Sequence, residues 1–390
     1  MVKHAFKAVL ALVLLFATLS FADFYLNVGT LQVGNENYMV YEFGPEFTVG
    51  PLTLGFTLTT YATDLTTGSF YFGYPGSSAP STNILDGINI TALGLDLGNV
   101  WFRYGRMRPI TYGMGFVFSG YSSPNARTFD VGIRMGMLSA SAHIPYQLVQ
   151  LSTFTFTQSD PVYTAVVSSK VSLFELSVFG GVDMDGLKED AIATPLTYAA
   201  GVSLTTNVLG FSVGAEAGAQ MWKDGTVGYG AFGGVFGDFG MLQFVAGPFY
   251  ASDGFKPWLI SKNYGFEKSQ PDFGPDKYKL DLGYIANLAL TFSPYGKVAV
   301  LLKGNFEGNL TLSGEGLINI PAIGGTNGLV LYGYLYDETP FEGGQFFDNN
   351  TLARLTIAYP VFSGFYAGIK YSWEDSQWKQ TAFVGGTANF

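Results

Sequence analysis

The stretch Tyr278 to Phe292, YKLDLGYIANLALTF, constrains the fold more than any other part of the chain. Its even positions are Tyr278, Leu280, Leu282, Tyr284, Ala286, Leu288, Leu290 and Phe292, all apolar or aromatic. The odd positions include Lys279, Asp281, Asn287 and Thr291. Successive side chains of a β-strand point to opposite faces, so this segment has one greasy face and one wet face. An ordinary strand runs to about 5–6 residues, whereas a tilted strand crossing a bilayer needs roughly 9–11. Aromatics at both ends of the greasy face suit the two membrane interfaces. The same alternation recurs almost to the last residue. The pattern implies an all-β, transmembrane antiparallel β-barrel.

The N-terminus reads as a secretory leader. Lys3 and Lys7 form a positive start, Ala8 to Ala17 an apolar core, and Ser20-Phe21-Ala22 a small-x-small cleavage site. Residues 1–22 are expected to be removed, leaving 23–390 as the barrel. The apolar core is too short for a transmembrane helix, and no later stretch reaches spanning length without polar interruption. Crossing must then be made by strands, since only helices and closed barrels satisfy their own backbone in lipid.

Composition agrees. Charged residues make up 13% of the chain, against about 25% in a soluble domain. There are 35 Phe, 24 Tyr and 5 Trp, but no cysteine, so stability is expected from sheet closure rather than disulfides. A net charge of −10, more negative once Lys3 and Lys7 leave, excludes nucleic acid as a partner.

Turn-forming sequences recur between long alternating segments: Gly50-Pro51, Gly98-Asn99, Asn207 to Gly210, Gly237-Asp238, Ser293 to Gly296 and Ser363-Gly364, with weaker ones near Leu138 and Val171. Longer polar or Gly/Pro-rich segments alternate with them, at 63–86, 109–126, 148–160, 183–195, 251–277 and 310–350. Short turns facing the periplasm and long loops facing outward are the layout of an outer-membrane barrel. Segments 63–86, 251–277 and 310–350 are accordingly expected outside. Between these punctuations lie eighteen strands, from 24–33 to 378–390. A hairpin within 310–350 would raise the count to twenty, and loss of the polar-broken pair 139–147 and 161–170 would lower it to sixteen. The expectation is 16–18 strands, with eighteen preferred.

Alternation also sorts lumen from lipid. The inward sets contain Glu42 and Glu46, Lys279 and Asp281, Lys303 and Glu307, and Lys370. An Arg or Lys on the lipid face near the midplane costs roughly 2–4 kcal/mol, which is why these charges are assigned inward. Eight strands enclose only side chains, whereas 16–18 leave an aqueous channel.

On these grounds, and with Phe390 at the C-terminus, the chain resembles bacterial outer-membrane barrels and, by size, the general porins. The resemblance implies a terminal strand read by the barrel-insertion machinery through Phe390. Trp378, Ala382, Val384, Gly386 and Ala388 share its parity, although Ala388 stands where the family carries an aromatic. It implies a water-filled channel in outer-membrane lipid for small hydrophilic solutes and ions, as a homotrimer, without cofactor or enzymatic activity. In general porins the third long loop folds into the pore and carries acids that face a basic wall. Segment 109–126 holds that place here, but it contains neither Asp nor Glu.

The most suggestive constellation is basic. Arg103, Arg106 and Arg108 precede segment 109–126, and Arg127 and Arg134 follow it. Arg103, Asp130 and Arg134 are therefore assigned to the pore lining with the inward charges above. An arginine wall selects anions. The alternatives are a salt-bridged interior ladder with Asp96 and Asp130, or arginines at lipid headgroups. Strict alternation cannot place both Arg103 and Arg106 in the lumen.

Other motifs weigh little. Gly210-Phe211-Ser212-Val213-Gly214 fits a hydrolase elbow, but no helix follows and the chain beyond the leader has a single histidine, His143. Gly228 to Gly233 fits G-x-G-x-x-G without a helix or a following acid, and its glycines read as room for curvature or neighbouring aromatics. Asp183-Met184-Asp185-Gly186 with Glu189 and Asp190 is a fragment of a calcium loop, short of the required ligands. No metal site is assigned. The competing reading to a channel is a structural or adhesive barrel whose lumen is blocked. It is disfavoured because no plug domain precedes the first strand.

Overall fold

Hairpin after hairpin, each alternating segment pairs antiparallel with its neighbour in the chain. The computed structural model describes residues 22–33, 36–63, 70–73, 81–123, 126–150, 154–188, 195–208, 211–270, 273–277, 281–306, 308, 310–322, 328–340, 347–362, 365–374 and 376–385. Leader residues 1–21, Lys279, Glu307 and Phe390 lie outside these residues.

The wall begins with β1 (Ala22–Val33), β2 (Glu36–Val49) and β3 (Leu52–Ala62), followed by β4 (Ile88–Asp96) and β5 (Val100–Arg106). It continues through β6 (Arg127–Met135), β7 (Leu138–Ile144), β8 (Val162–Val171), β9 (Phe174–Asp183) and β10 (Leu196–Val208). Next come β11 (Phe211–Trp222), β12 (Val227–Asp238), β13 (Leu242–Ala251), β14 (Asp281–Phe292) and β15 (Gly296–Asn305). The last five are β16 (Leu310–Ile320), β17 (Leu329–Asp337), β18 (Thr351–Phe362), β19 (Phe365–Glu374) and β20 (Gln377–Gly385). The two-residue strand Tyr71–Phe72 adds a short ladder beside β3, giving a 21-stranded sheet. β20 returns beside β1, with Cα atoms within 8 Å.

The strand count corrects the expectation of eighteen. The two further strands are β16 and β17, paired from Leu312↔Asp337 to Ile320↔Leu329 inside segment 310–350. Two features hide them in sequence. Gly314 and Gly316 stand where outward apolar residues would mark β16. The inner face of β17 is Tyr332, Tyr334 and Tyr336, whose rings read as apolar although their hydroxyls bond Glu315, Asn263 and Glu267. The β12–β13 turn also falls at Phe239–Met241, just past Gly237-Asp238, where Gly240 supplies a φ of +77°.

Alternation sorts the two faces as expected. On β10, Tyr198, Val202 and Leu204 are exposed, whereas Thr197, Ala199 and Ser203 are buried. On β14, Leu282, Tyr284, Leu288, Leu290 and Phe292 are exposed, and Ile285 and Ala289 are buried between them. Among the described residues no helix is long and apolar enough to cross a membrane. Outside the wall ladder, Tyr146–Gln150 and Thr155–Gln158 form a separate hairpin, and the Leu148 N–H donates to Tyr104 Oη at 2.9 Å.

Adjacent positions on β14 test the sorting. Leu288→Arg should destabilise the barrel by about 2–4 kcal/mol in lipid-bilayer unfolding, and Asn287→Arg by much less. Equal losses would place both side chains in the same environment.

Candidate functional site: the barrel interior

Two loops fill one side of the lumen. The first, 107–126, turns inward between β5 and β6, and the wall carboxylate of Glu216 on β11 holds its tip. Glu216 accepts the Met114 N–H at 2.6 Å and the Val117 N–H at 3.0 Å, and it is only 2% exposed. Gly113 makes this approach possible. Its φ is +57°, and a Cβ there would lie 2.6–2.7 Å from the Ser203 hydroxyl and the Glu216 carboxylate. Further along, Tyr112 Oη and Thr164 Oγ1 of β8 are 2.6 Å apart. Phe116, Val117 and Phe118 are completely buried.

The second loop, 252–277, packs on the first. Ile260–Ser261 pairs in parallel with Phe118–Ser119, and the Trp258 N–H donates to the Phe116 carbonyl at 2.7 Å. The Phe116 ring sits 5.2 Å from Phe255 and from Trp258, and 5.8 Å from Phe232 of β12. Gln220 of β11 brackets Lys256, donating to its carbonyl at 2.8 Å and accepting its N–H at 2.9 Å. Trp222 Nε1 donates to the Gly254 carbonyl. Segment 251–277, expected on the outer side of the membrane, folds back into the barrel. Its aromatic residues bury themselves against the aromatic inner wall, which removes more apolar surface from water than an outward excursion could.

Charged pairs tie this loop to the opposite strands. Lys256 Nζ bonds Glu267 Oε2 at 2.6 Å and also Glu338, while Tyr336 Oη donates to Glu267 Oε1 at 2.5 Å. Glu267 belongs to the short helix α1 (Tyr264–Lys268). Tyr334 Oη donates to Asn263 Oδ1, and Lys262 pairs with Glu315 of β16. At the far end, Lys268 Nζ reaches Asp183 at 2.7 Å and Asp185 at 2.8 Å, and Tyr264 Oη donates to Asp183. The calcium-loop fragment is thus taken up by lysines, Lys188 Nζ adding a 2.6 Å contact to Asp185. Glu189 and Asp190 lie outside the described residues. Among those described, no group of three or more His, Asp or Glu is placed to hold a metal.

The glycine-rich strings are clearances. A Cβ on Gly218 would meet Val117 Cγ2 at 2.4 Å, and one on Gly230 would meet the Phe255 ring at 2.7 Å. Gly214, the last glycine of the elbow-like string, would meet Met114 Sδ at 2.9 Å. Both strings therefore serve as seats for the inserted loops.

The arginine cluster forms a ladder. Arg103 of β5 pairs with Asp130 of β6 at 3.4 Å, and Asp130 in turn meets His143 Nδ1 of β7 at 2.6 Å. Arg127 reaches Glu42 of β2 at 3.3 Å, a contact across three intervening strands that requires a strongly curved wall. Arg134 pairs with Asp96 at 3.1 Å near the Gly98 turn, and both side chains are about half exposed. These partners offset the positive field expected of a bare arginine wall. Lys303 lies on β15, only 7% exposed, facing the cluster of Lys256, Glu267 and Glu338 rather than open lumen. Glu46 and Lys370 keep inward parity, opposite Gly55 and Thr356 respectively. Asp281 opens β14 at the loop end and is exposed. Sequence reasoning missed Glu216, Gln220, Lys256, Glu267 and Glu338. The one available signal was Glu216 itself, a lone acid in the small-residue run VGAEAGA.

Two loop groups have shifted acidities. Burial and the neighbouring Asp160 carboxylate, which accepts its hydroxyl, push the Tyr121 phenol up. For Asp185, partial burial pulls upward, but the Lys188 and Lys268 ammoniums outweigh it and hold the carboxyl below its ordinary 3.8.

No family model matches the chain, and no curated protein does. Among solved structures it is similar to the outer membrane protein opdK from Pseudomonas aeruginosa, at 12% identity over 94% of this chain and 95% of that one, with a TM-score of 0.37. A BenF-like porin from Pseudomonas fluorescens Pf-5 gives 11% identity, coverages of 94% and 94%, and a TM-score of 0.34. A mutant of Rh. blastica porin gives 13% identity over 67% of this chain and 89% of that one, at 0.35. Superpositions this loose carry no residue correspondences, and the functional reading rests on the interior described above.

Two outcomes follow from the anchors. Glu216→Ala leaves two buried N–H groups without their acceptor, at about 1–3 kcal/mol, and should make 107–126 susceptible to protease in detergent. An unchanged digestion pattern would show that Glu216 does not hold the loop. Asp185 has a lowered folded-state pKa, so its contribution is complete above the ordinary value of 3.8 and is lost as pH falls through the lower one. Protease sensitivity at 252–277 should therefore stay flat from neutral pH down to about 4 and rise only below it. A rise near pH 6 would assign the anchor to another group.

Proposed function

We propose that this protein is an outer-membrane channel, a porin passing small hydrophilic solutes and ions by passive diffusion across the bacterial outer membrane. One observation carries the reading: the sheet of twenty strands has an apolar outer face, and its buried or partly buried charges, Glu42, Asp130, Glu216 and Lys303 among them, lie on the inner one. Eight strands already fill a barrel with side chains, so a ring of this size leaves a lumen. The two inserted loops occupy the side of β8–β13, whereas Arg354 and Glu46 elsewhere on the inner face remain exposed. Export through the leader 1–22, insertion through the C-terminal strand ending at Phe390, and assembly as a homotrimer complete the proposal.

A second reading has an observation in its favour. The core of Phe116, Phe255, Phe232, Phe249 and Trp258 is almost wholly buried, and a lumen closed all round by such packing would be a structural barrel. It supplies the plug that no preceding domain was expected to provide.

Purified protein in planar bilayers separates the two. The channel reading expects discrete, ohmic conductance steps. Bilayers that stay silent at protein densities shown by labelling to be inserted would establish the blocked barrel.

A further inference from the structure

The wall is notched where the chain leaves it for the lumen. β5 pairs with β6 as far as Arg106↔Arg127, but its ladder with β4 stops at Leu93↔Tyr104. Among the described residues, 88–92 of β4 have β3 on one side and no strand partner on the other. A strand tilted by about 40° gains roughly 2.5 Å of height per residue. Residues 88–92 therefore stand roughly 15–25 Å above the Gly98 turn, within an apolar band about 25 Å tall. Backbone groups left open to hydrocarbon at that height are costly.

The hairpin of Tyr146–Gln150 and Thr155–Gln158 lies over this notch from the lipid side. Tyr112 of the inserted loop reaches Thr164, and Thr164, His143, Asp130 and Arg103 oppose one another in a row, so this row faces the lumen. Tyr163, Phe129 and Tyr104, each next in the chain to a member of the row, then point outward. All three meet the hairpin. The Leu148 N–H donates to Tyr104 Oη, the Phe156 ring sits 5.7 Å from that of Phe129, and the Tyr146 ring 6.2 Å from that of Tyr163. Tyr104 is only 2% exposed, whereas Val131 and Ile133 on the same outer face are 38% and 37% exposed. Cα atoms of Tyr146–Gln150 come within 8 Å of β4 and of β6, the two banks of the notch. Segment 144–159 contains no charged residue. One face of the hairpin holds Tyr146, Leu148 and Phe156, the other Gln147 and Thr157, and Phe154 at the tip is exposed. Such a surface suits the boundary of a bilayer.

We infer that this hairpin is a strap that seals the notch against the acyl chains of the bilayer. It screens from outside the edge that β4 uncovers when the chain turns inward as 107–126. The inference concerns the wall and holds whether or not the lumen conducts; it rests on the outer parity lying in lipid.

The chain has no cysteine, so single-cysteine variants report on one site each. Asn89→Cys and Ala92→Cys, on the unpaired stretch of β4, are placed in phosphatidylcholine vesicles and treated with a pyrene maleimide dissolved in the bilayer. Val131→Cys, open to lipid, and Ala289→Cys, buried on the inner parity of β14, are the controls. With the hairpin intact, only Val131→Cys should be labelled. With 148–156 replaced by Gly-Ser-Gly, Asn89→Cys and Ala92→Cys should react about tenfold faster as their thiols become accessible, and Ala289→Cys should not change. If the shortened chain does not fold, Phe156→Asp, which sets a carboxylate against the Phe129 ring, frees the hairpin at full length and is read in the same way. Rapid labelling at 89 and 92 with the hairpin seated, or none after it is removed or freed, overturns the seal. An equal gain at Ala289→Cys would trace the labelling to the whole wall and overturn it as well. A Val131→Cys that never reacts would overturn the placement of this face in lipid, and the seal with it.

Discussion

Backbone hydrogen bonding governs everything else in this chain. Hydrocarbon offers no water to an unpaired N–H or C=O, so a strand in the membrane must be paired on both edges. That requirement explains why consecutive strands pair in order from Glu36–Val49 to Gln377–Gly385 and why β20 comes back beside β1. With the strands paired in order and β20 lying beside β1, alternation is no longer a preference. Each strand has one face in lipid and one in the lumen, and shifting it by a single residue would exchange them. The exposed Leu, Val, Phe and Tyr on the outer parity thus follow from that sidedness.

The width of the sheet creates a second problem, which the loops address. A ring this wide is not filled by its own side chains. The strands β8–β13 present Phe179, Phe232 and Phe249 inward, side chains too apolar to face open water. Loops 107–126 and 252–277 cover them with Phe116, Phe255 and Trp258, and the glycines at 214, 218 and 230 supply the depth. The inner wall and the two loops are therefore one packed unit, although they come from distant parts of the chain.

The legible part of this fold was whatever obeys period two with contrasting residues. β14, β15 and β2 show it plainly, as do the tight turns at Gly50-Pro51 and Gly98-Asn99. β17 was legible only as part of an alternative hairpin, because tyrosine is apolar in its ring and polar at its tip, so an inner face of Tyr332, Tyr334 and Tyr336 leaves no contrast with Leu329, Leu331 and Leu335. The packing of loop 252–277 was illegible for a related reason. Its Gly, Pro and Lys content looks like an outward excursion, and only the three-dimensional meeting with Phe116 shows where its aromatics go. The arginine ladder was half legible. Spacing put Arg103 and Asp130 inward, but the register that makes them direct neighbours belongs to the sheet.

The ionic anchors of the second loop have a different status from its aromatic packing. Burying Lys256, Glu267 and Glu338 is costly, and an apolar cluster of equal volume would hold the loop at least as well. What the charges add is direction. Apolar contacts have no direction of their own, whereas Lys256 meets the carboxylates of both Glu267 and Glu338, and the Tyr336 hydroxyl reaches the same two groups. A slip of the loop by one residue would pull Lys256 away from these buried carboxylates. The aromatic contacts supply the adhesion, and the charge group selects a single register for it, which fixes how much of the lumen remains open.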